Sequence, residues 1–181
     1  YHLLETSEIL TPLAERGIHL IVSVQPRQIE GLPKLLESCE RHGVSLSLWP
    51  LLDDELGRWP SDHNASAFQR HLATLLTLID GLDGPTPEEI VFDLEPPISI
   101  SRRVLSSRVI EGRALLRPPN IERVAQLFGK ATSEVRSVGA RPVAVVPPMV
   151  IADRPDQLGG WQRILGTPIH YCENEVRNIR V

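Results

Sequence analysis

Two carboxyl groups, those of Asp93 and Glu95, stand two positions apart near the end of the run Glu89-Ile-Val-Phe-Asp-Leu-Glu-Pro96. If this run is a strand, alternate side chains share one face, so both acids point to the same side and lie roughly 6.6 to 7 Å apart. Two like charges on a buried strand are costly unless a ligand, a metal ion or hydrogen-bond donors meet them. Their repulsion would leave one group protonated and the other ionised, and this pairing of acid and carboxylate is what cleaves a glycosidic bond. Asp93 and Glu95 are therefore candidate catalytic residues.

Two alternatives to a catalytic acidic pair stay open. Arg102 or Arg103 could neutralise both carboxylates in salt bridges at the end of the strand. A divalent cation could instead be held by the pair together with loop oxygens, because hard cations need only oxygen ligands. The histidines are scattered without the spacing of a transition-metal site, so no metal ligand is assigned from them.

Aromatic and polar residues follow two earlier strand-like runs. Trp49 closes the run Ser45-Leu-Ser-Leu-Trp-Pro, and the loop 53–64 after it contains acids, an arginine, Trp59, His63 and Asn64. Loops after parallel strands carry binding groups, and flat aromatic faces beside hydrogen-bonding side chains suit sugar rings. The candidate substrate-binding residues are Trp49, Trp59, Asp53 and Gln25.

Each of these residues could also have a purely structural role. Either tryptophan could serve packing alone, and His63 is typical of a solvated loop. Asn64 is suitably placed as the N-cap of a helix that starts near Ser66. The candidate site therefore rests on the cluster and not on any one member.

The elements that must position these residues alternate regularly along the chain. Apolar periodicity and stop signals predict strands near residues 19–26, 45–52, 89–96 and 142–148. Helices are predicted over Glu5 to Arg16, Ile29 to Arg41, Ser66 to Leu82 and Asn120 to Val138. Strands separated by helices imply parallel pairing through right-handed crossovers, which brings the carboxyl ends of the strands to one edge.

This rhythm predicts the α/β class and a (β/α)-barrel of the TIM type. A complete barrel needs about 250 residues and at least about 200, whereas this chain has 181. We therefore expect residues 1–181 to form a single barrel domain that is partial or truncated, or a fragment of one. A small open α/β sheet is the alternative, and the segment from Ile169 to Val181 is not predicted to continue the rhythm.

The segment Ile90-Val-Phe-Asp-Leu-Glu-Pro-Pro97 resembles the end of the fourth strand in family 18 glycoside hydrolases, the chitinase-like (β/α)-barrels. The resemblance implies that Glu95 protonates the glycosidic oxygen and that Asp93 is its partner, orienting the acetamido group of the substrate. The sequence departs from the family's pattern at Val91, where the family has a further aspartate, and it lacks the glycine-rich lead-in.

Composition excludes several other classes of function. The net charge is −4 and no long basic run occurs, so neither nucleic acid nor an anionic membrane is an expected partner. No apolar stretch reaches the roughly 20 residues of a membrane span, and no signal peptide is visible. Phosphate-binding glycine loops and the Gly-x-Ser-x-Gly elbow are missing from the sequence, and we expect no cofactor.

Cysteine usage gives a hint of the cellular compartment. Only two cysteines are present, and the pattern around Cys39 predicts a buried free thiol in a helix. A reducing compartment such as the cytoplasm fits that pattern. The chain starts at Tyr1 and not at a methionine, which leaves open that the authentic N-terminus has been lost.

Together these features favour a glycoside hydrolase or other carbohydrate-active barrel protein whose substrate is a carbohydrate or another small polar molecule. Two alternatives remain from the residues alone. One is a divalent-metal-dependent barrel enzyme acting on a sugar or a phosphodiester, and the other is a non-catalytic glycan-binding or scaffold domain. The sequence does not fix the oligomeric state.

Overall fold

A computed structural model describes residues 1, 4–61, 64–94, 120–146 and 179–180. In these ranges strands alternate with helices, and the elements in chain order are α1 (Ser7–Glu15), β1 (Leu20–Val24), α2 (Leu32–His42), β2 (Leu46–Pro50), α3 (Ala65–Asp80), β3 (Glu89–Asp93), α4 (Ile121–Ser137), β4 (Arg141–Val145) and β5 (Ile179–Arg180). Two short 3-10 helices, Pro26–Gly31 and Asp54–Leu56, follow β1 and β2.

The strands form one parallel sheet in the order β1-β2-β3-β4-β5. This confirms the α/β class and the four predicted strands, although each of the four is shorter than predicted, at five residues. Within the segment 169–181, which was not predicted to continue the rhythm, the described residues Ile179–Arg180 pair in parallel with β4. A strand of two residues is too short to show an alternating apolar pattern, so the sequence carried no signal for it.

One face of the sheet packs against helices. Along β3, Ile90 and Phe92 point to that face, and the Phe92 ring contacts Phe68 of α3 and Phe128 of α4 edge to face, with centroids 6.1 and 5.8 Å apart. The predicted helical stripes are buried in the same core, including Cys39, a free thiol as predicted. By alternation, Glu89, Val91 and Asp93 point to the opposite face of the sheet.

Helix ends lie within three residues of the predicted positions, and the largest shift is at the start of α2. Gly43 ends α2 in the left-handed conformation, with φ of 71°, and its N–H bonds to the carbonyls of Cys39 and Glu40. Asn120 caps α4 through its side chain, which accepts from the N–H of Arg123 at 3.0 Å. The start of α2 is Leu32 and not the predicted Ile29, because the preceding residues form the 3-10 helix after β1.

A hydrogen-bonded group of side chains ties the amino-terminal ends of the strands together. We call it the basal cluster, and its members are His19, Ser45, Ser47, Glu89 and Arg141. The imidazole of His19 contacts the Ser45 and Ser47 hydroxyls at 2.7 Å each. Ser47 in turn donates to Glu89 at 3.4 Å, and Glu89, only 1% exposed, pairs with the guanidinium of Arg141. His19 thus lies at the structural end of the sheet, away from the carboxyl ends of the strands.

Replacing Arg141 by alanine is expected to lower the free energy of unfolding by about 2 kcal/mol. The substitution removes the guanidinium that pairs with the buried Glu89 carboxylate. The expected loss is below the 3–5 kcal/mol of a fully buried pair because Arg141 itself faces water. Urea unfolding measures the change. Arg41→Ala is the matched control: Arg41 is as exposed as Arg141, at 60% against 57%, but its partner Glu37 is 67% exposed. The control should lose no more than about 0.5 kcal/mol, and equal losses in both variants would contradict the basal cluster's role.

Candidate functional site

Asp93 is the last residue of β3 and lies at the carboxyl-terminal edge of the sheet. Its side chain is 6% exposed and lies on the face opposite Phe92, away from α3 and α4. The backbone continues in register beyond it, since the N–H of Leu94 bonds to the carbonyl of Val145 at 2.9 Å. The predicted orientation of Asp93 therefore agrees with the structure.

Several of the residues singled out from the sequence lie outside the described ranges. Glu95 follows the last described residue of β3 by two positions, and His63 lies in a short gap before α3. The arginines proposed as alternative partners of the acidic pair, Arg102 and Arg103, are also outside. Their predicted roles remain predictions.

Trp49 lies near the end of β2, on the same face of the sheet as Asp93. The register pairs Ser47 with Glu89, and alternation from these two residues places Trp49 and Asp93 on one side. The indole of Trp49 is half-buried. Its Nε1 atom is buried and has no hydrogen-bond partner among the described residues.

The loop after β2 is organised by Asn64. Its Oδ1 accepts from the N–H of Ser61 at 2.8 Å, and its Nδ2 donates to the carbonyls of Leu56 and Trp59 at 2.8 and 2.7 Å. Asn64 occupies the N-cap position of α3, as predicted, but its side chain does not cap the helix. The side chain does not cap the helix because its amide is bonded to three backbone groups of the loop.

Trp59 is held in this loop beside Arg58. The guanidinium carbon of Arg58 lies 5.9 Å from the centre of the Trp59 ring, within range of a cation–π contact. The same guanidinium forms a two-pronged bond to Asp54, with Nε–Oδ1 at 2.7 Å and Nη2–Oδ2 at 3.0 Å. This bond with Asp54 raises the pKa of Arg58 above its ordinary value. The Nε1 atom of Trp59 is buried and, within the described part of the chain, has no partner.

Gln25 and Asp53 follow β1 and β2 at the same edge, and both are half-buried. The backbone N–H of Gln25 donates to the side chain of Gln28 at 2.8 Å, and its own Oε1 accepts from Arg27 at 2.8 Å. Gln25 therefore has a turn-forming role. Its role in binding substrate stays a prediction.

His71 belongs to this edge, and it was not among the residues predicted from the sequence. It lies on α3 with 5% of its surface exposed, and its Nε2 atom is 2.8 Å from the carbonyl oxygen of Val24, the last residue of β1. A carbonyl oxygen only accepts, so Nε2 carries the proton and Nδ1 holds the lone pair. Burial lowers the pKa of His71, against the smaller opposing effects of the Val24 bond and of the negative charge of Asp53. A polar residue among Phe68, Leu72 and the rest of an apolar helix stripe was the available signal.

Acid is expected to destabilise the fold through His71. The ordinary histidine pKa is 6.5, and burial lowers that of His71 in the folded protein. As the pH falls below that ordinary value, the unfolded chain takes up the proton first. The free energy of unfolding then decreases, by at most about 1.4 kcal/mol per pH unit for this one proton, until the pH passes below the folded pKa.

Urea unfolding of the wild type and His71→Gln at about pH 8 and about pH 5 measures this effect. Glutamine keeps an N–H for the Val24 carbonyl but takes up no proton. The difference in free energy of unfolding between the wild type and His71→Gln should therefore narrow or reverse in acid. A difference in free energy of unfolding that stays constant with pH would contradict the lowered pKa of His71.

The two edges of the sheet differ in how well their polar atoms are bonded. At the amino-terminal edge the side chains of the basal cluster bond to one another. At the other edge, four buried polar atoms have no hydrogen-bond partner in the described ranges: Trp49 Nε1, Trp59 Nε1, Ser61 Oγ and His71 Nδ1. Buried polar groups are paired in most folded proteins, so such a set needs a physical reason, and ligand binding is one.

Two features of the described ranges bear on the alternatives. No group of three or more histidine, cysteine, aspartate or glutamate residues there is arranged to hold a metal ion. No helix in the described part combines the length and the apolar character of a membrane span.

Comparison with known proteins adds no family assignment. No family model, curated protein or solved structure matches the chain. The resemblance around Asp93-Leu94-Glu95 therefore remains a prediction from the residues themselves.

Proposed function

We propose that this chain is the strand-bearing part of a carbohydrate-active (β/α)-barrel protein, and that it hydrolyses glycosidic bonds with Glu95 as general acid and Asp93 as its partner. The observation that carries the proposal is the position of Asp93. It is a buried carboxyl group at the carboxyl end of a central parallel strand, on the face that the helices α3 and α4 leave free.

The strand order supports a barrel over a doubly wound sheet. A doubly wound sheet reverses its strand order at the point where ligands bind, whereas the strands in the described ranges follow chain order without reversal. Successive right-handed crossovers in one direction put all helices on one face, as in a barrel wall. In that architecture the face bearing Ser47, Glu89, Val91 and Asp93 is the interior, and chemistry takes place at the carboxyl ends of the strands.

The neighbouring residues suit a sugar. Trp49 and Trp59 offer aromatic surface together with indole N–H donors that have no partner in the described ranges, and a sugar ring offers C–H faces with hydroxyl acceptors around them. Asp53 and the Gln25 amide supply further polar groups at the same edge. Asp93, two residues before Glu95, would orient the substrate while Glu95 protonates the leaving oxygen.

The test is hydrolysis by the purified full-length protein of a panel of 4-nitrophenyl glycosides and of chito-oligosaccharides, with and without EDTA. Release of nitrophenol or shorter oligosaccharides that survives EDTA supports the proposal. Activity abolished by EDTA and restored by a divalent cation would replace it with the metal-dependent enzyme. Oligosaccharide binding in calorimetry without turnover would replace it with a glycan-binding domain, and neither binding nor turnover would overturn the carbohydrate assignment.

A further inference from the structure

We infer that Arg58 is a positioning residue that fixes Trp59 as a one-sided stacking platform for an uncharged sugar ring. The inference rests on the proposed function and adds to it the charge class of the ligand. It is carried by the loop from Asp53 to Ser61, whose bonds hold one aromatic ring in a defined place.

The backbone at Arg58 adopts an unusual conformation. Its φ angle is +60°, in the left-handed region that non-glycine residues rarely occupy. Within the described ranges, no other non-glycine residue has a positive φ angle. The conformation is held from both sides: the N–H of Leu52 bonds to the Arg58 carbonyl at 2.9 Å, and the Arg58 N–H bonds to the Asp53 carbonyl at 3.3 Å. Conformations of this kind persist where the surrounding structure enforces them, and they cluster at ligand sites.

The side chain of Arg58 is fixed as firmly as its backbone. Both prongs of the guanidinium are bonded to Asp54, a geometry that lysine cannot reproduce. In that position the guanidinium lies over the ring of Trp59. Because the guanidinium covers one face of the indole, a ligand can stack only on the opposite face. Asn64 fixes the backbone of Trp59 by donating a hydrogen bond to the Trp59 carbonyl.

The charges at this edge indicate which ligands are excluded. Asp54 neutralises Arg58, so the cation over Trp59 is not available to a ligand anion. Asp53 and Asp93 add negative charge at the same edge of the sheet. An anionic sugar such as a uronate would be repelled, whereas an uncharged ring meets an aromatic face without that penalty.

The experiment compares Arg58→Gly with Asp54→Asn and with the double variant. Glycine adopts a φ of +60° freely, so Arg58→Gly removes the guanidinium without adding backbone strain. Arg58→Lys keeps the charge but loses the two-pronged bond, and Arg41→Ala is the control for loss of an exposed, ion-paired arginine elsewhere. Thermal unfolding of each variant shows whether the fold is retained.

The ligand probes are chitotetraose and cellotetraose, which are neutral, and tetragalacturonate, which is anionic, each titrated by calorimetry. We expect Arg58→Gly and Asp54→Asn each to bind the neutral probes about tenfold more weakly than the wild type. The double variant should bind no more weakly than either single variant, and Arg58→Lys should not restore wild-type binding. Tetragalacturonate should bind the wild type at least about tenfold more weakly than the neutral probe.

A second readout needs no ligand. The chain has three tryptophans, and with 5-fluorotryptophan incorporated each should contribute one ¹⁹F resonance. The Trp59 resonance should shift or broaden in Arg58→Gly and stay unchanged in Arg41→Ala.

The outcomes separate this inference from the proposed function. Neutral oligosaccharide binding that is equally tight in the wild type and Arg58→Gly, with an unchanged Trp59 resonance, would overturn the positioning role alone. Wild-type protein that binds tetragalacturonate more tightly than the neutral oligosaccharides would overturn only the inference that the ligand is uncharged. A wild type that binds none of the probes would overturn the proposed function and this inference with it.

Discussion

Replacing Glu95 by glutamine is expected to reduce kcat for glycoside hydrolysis by about 10²- to 10⁴-fold, with a much smaller change in KM. Glutamine has the size of glutamate but cannot donate an acidic proton to the leaving oxygen. Binding groups such as Trp49 and Trp59 are untouched, so the loss should fall on the chemical step. Steady-state kinetics on the glycoside that the wild type cleaves best measures the change.

Two further variants sharpen this test. Asp93→Asn should also lower kcat, because an amide at the neighbouring position removes the charge that orients the substrate. Glu88→Gln is the matched control, since Glu88 precedes the same strand at its amino-terminal end, with a side chain 55% exposed. Glu88→Gln should keep full activity, and a Glu95→Gln protein with wild-type kcat would rule out Glu95 as the acid.

Replacing Phe92 by alanine is expected to lower the free energy of unfolding by about 4 kcal/mol. The side chain is 1% exposed and contacts Phe68 and Phe128, so the substitution opens a cavity between the sheet and two helices. The loss combines the transfer free energy of the ring, the residual cavity and two edge-to-face contacts. Urea unfolding followed by far-UV circular dichroism measures it.

The controls for Phe92→Ala distinguish a cavity from a general effect of truncation. Phe92→Leu keeps most of the volume and should lose clearly less than Phe92→Ala. Ile21→Ala truncates a side chain of β1 that is 43% exposed and should change stability by less than about 1 kcal/mol. A Phe92→Ala loss as small as that of Ile21→Ala would contradict the placement of Phe92 in the core.

Those parts of the fold that depend on local periodicity were predictable. Alternation along β3 separated Phe92 from Asp93 correctly, because a buried strand has a period of two whatever packs against it. The four long helices and the four predicted strands were found for the same reason, with boundaries that moved by a few residues. The fifth strand was missed because two residues carry no period.

The contacts that organise the candidate site could not be predicted in the same way. His71 bonds to Val24 across 47 residues, and Arg141 pairs with Glu89 across 52. Such pairs depend on which strand ends become neighbours, and that is fixed by sheet order and not by local pattern. Asn64 shows the same limit at short range: its position indicated a helix cap, but three nearer backbone groups use its amide.

The strand order also bears on how the chain acquires its structure during synthesis. Each described strand pairs with the described strands next to it in chain order, so a nascent polypeptide can add one of these strands at a time without waiting for a distant partner. Each added unit covers the edge left by the one before it and exposes a new edge of its own. Growth of this kind is directional: one edge of the growing sheet stays at β1, and the other edge moves to each newly added strand.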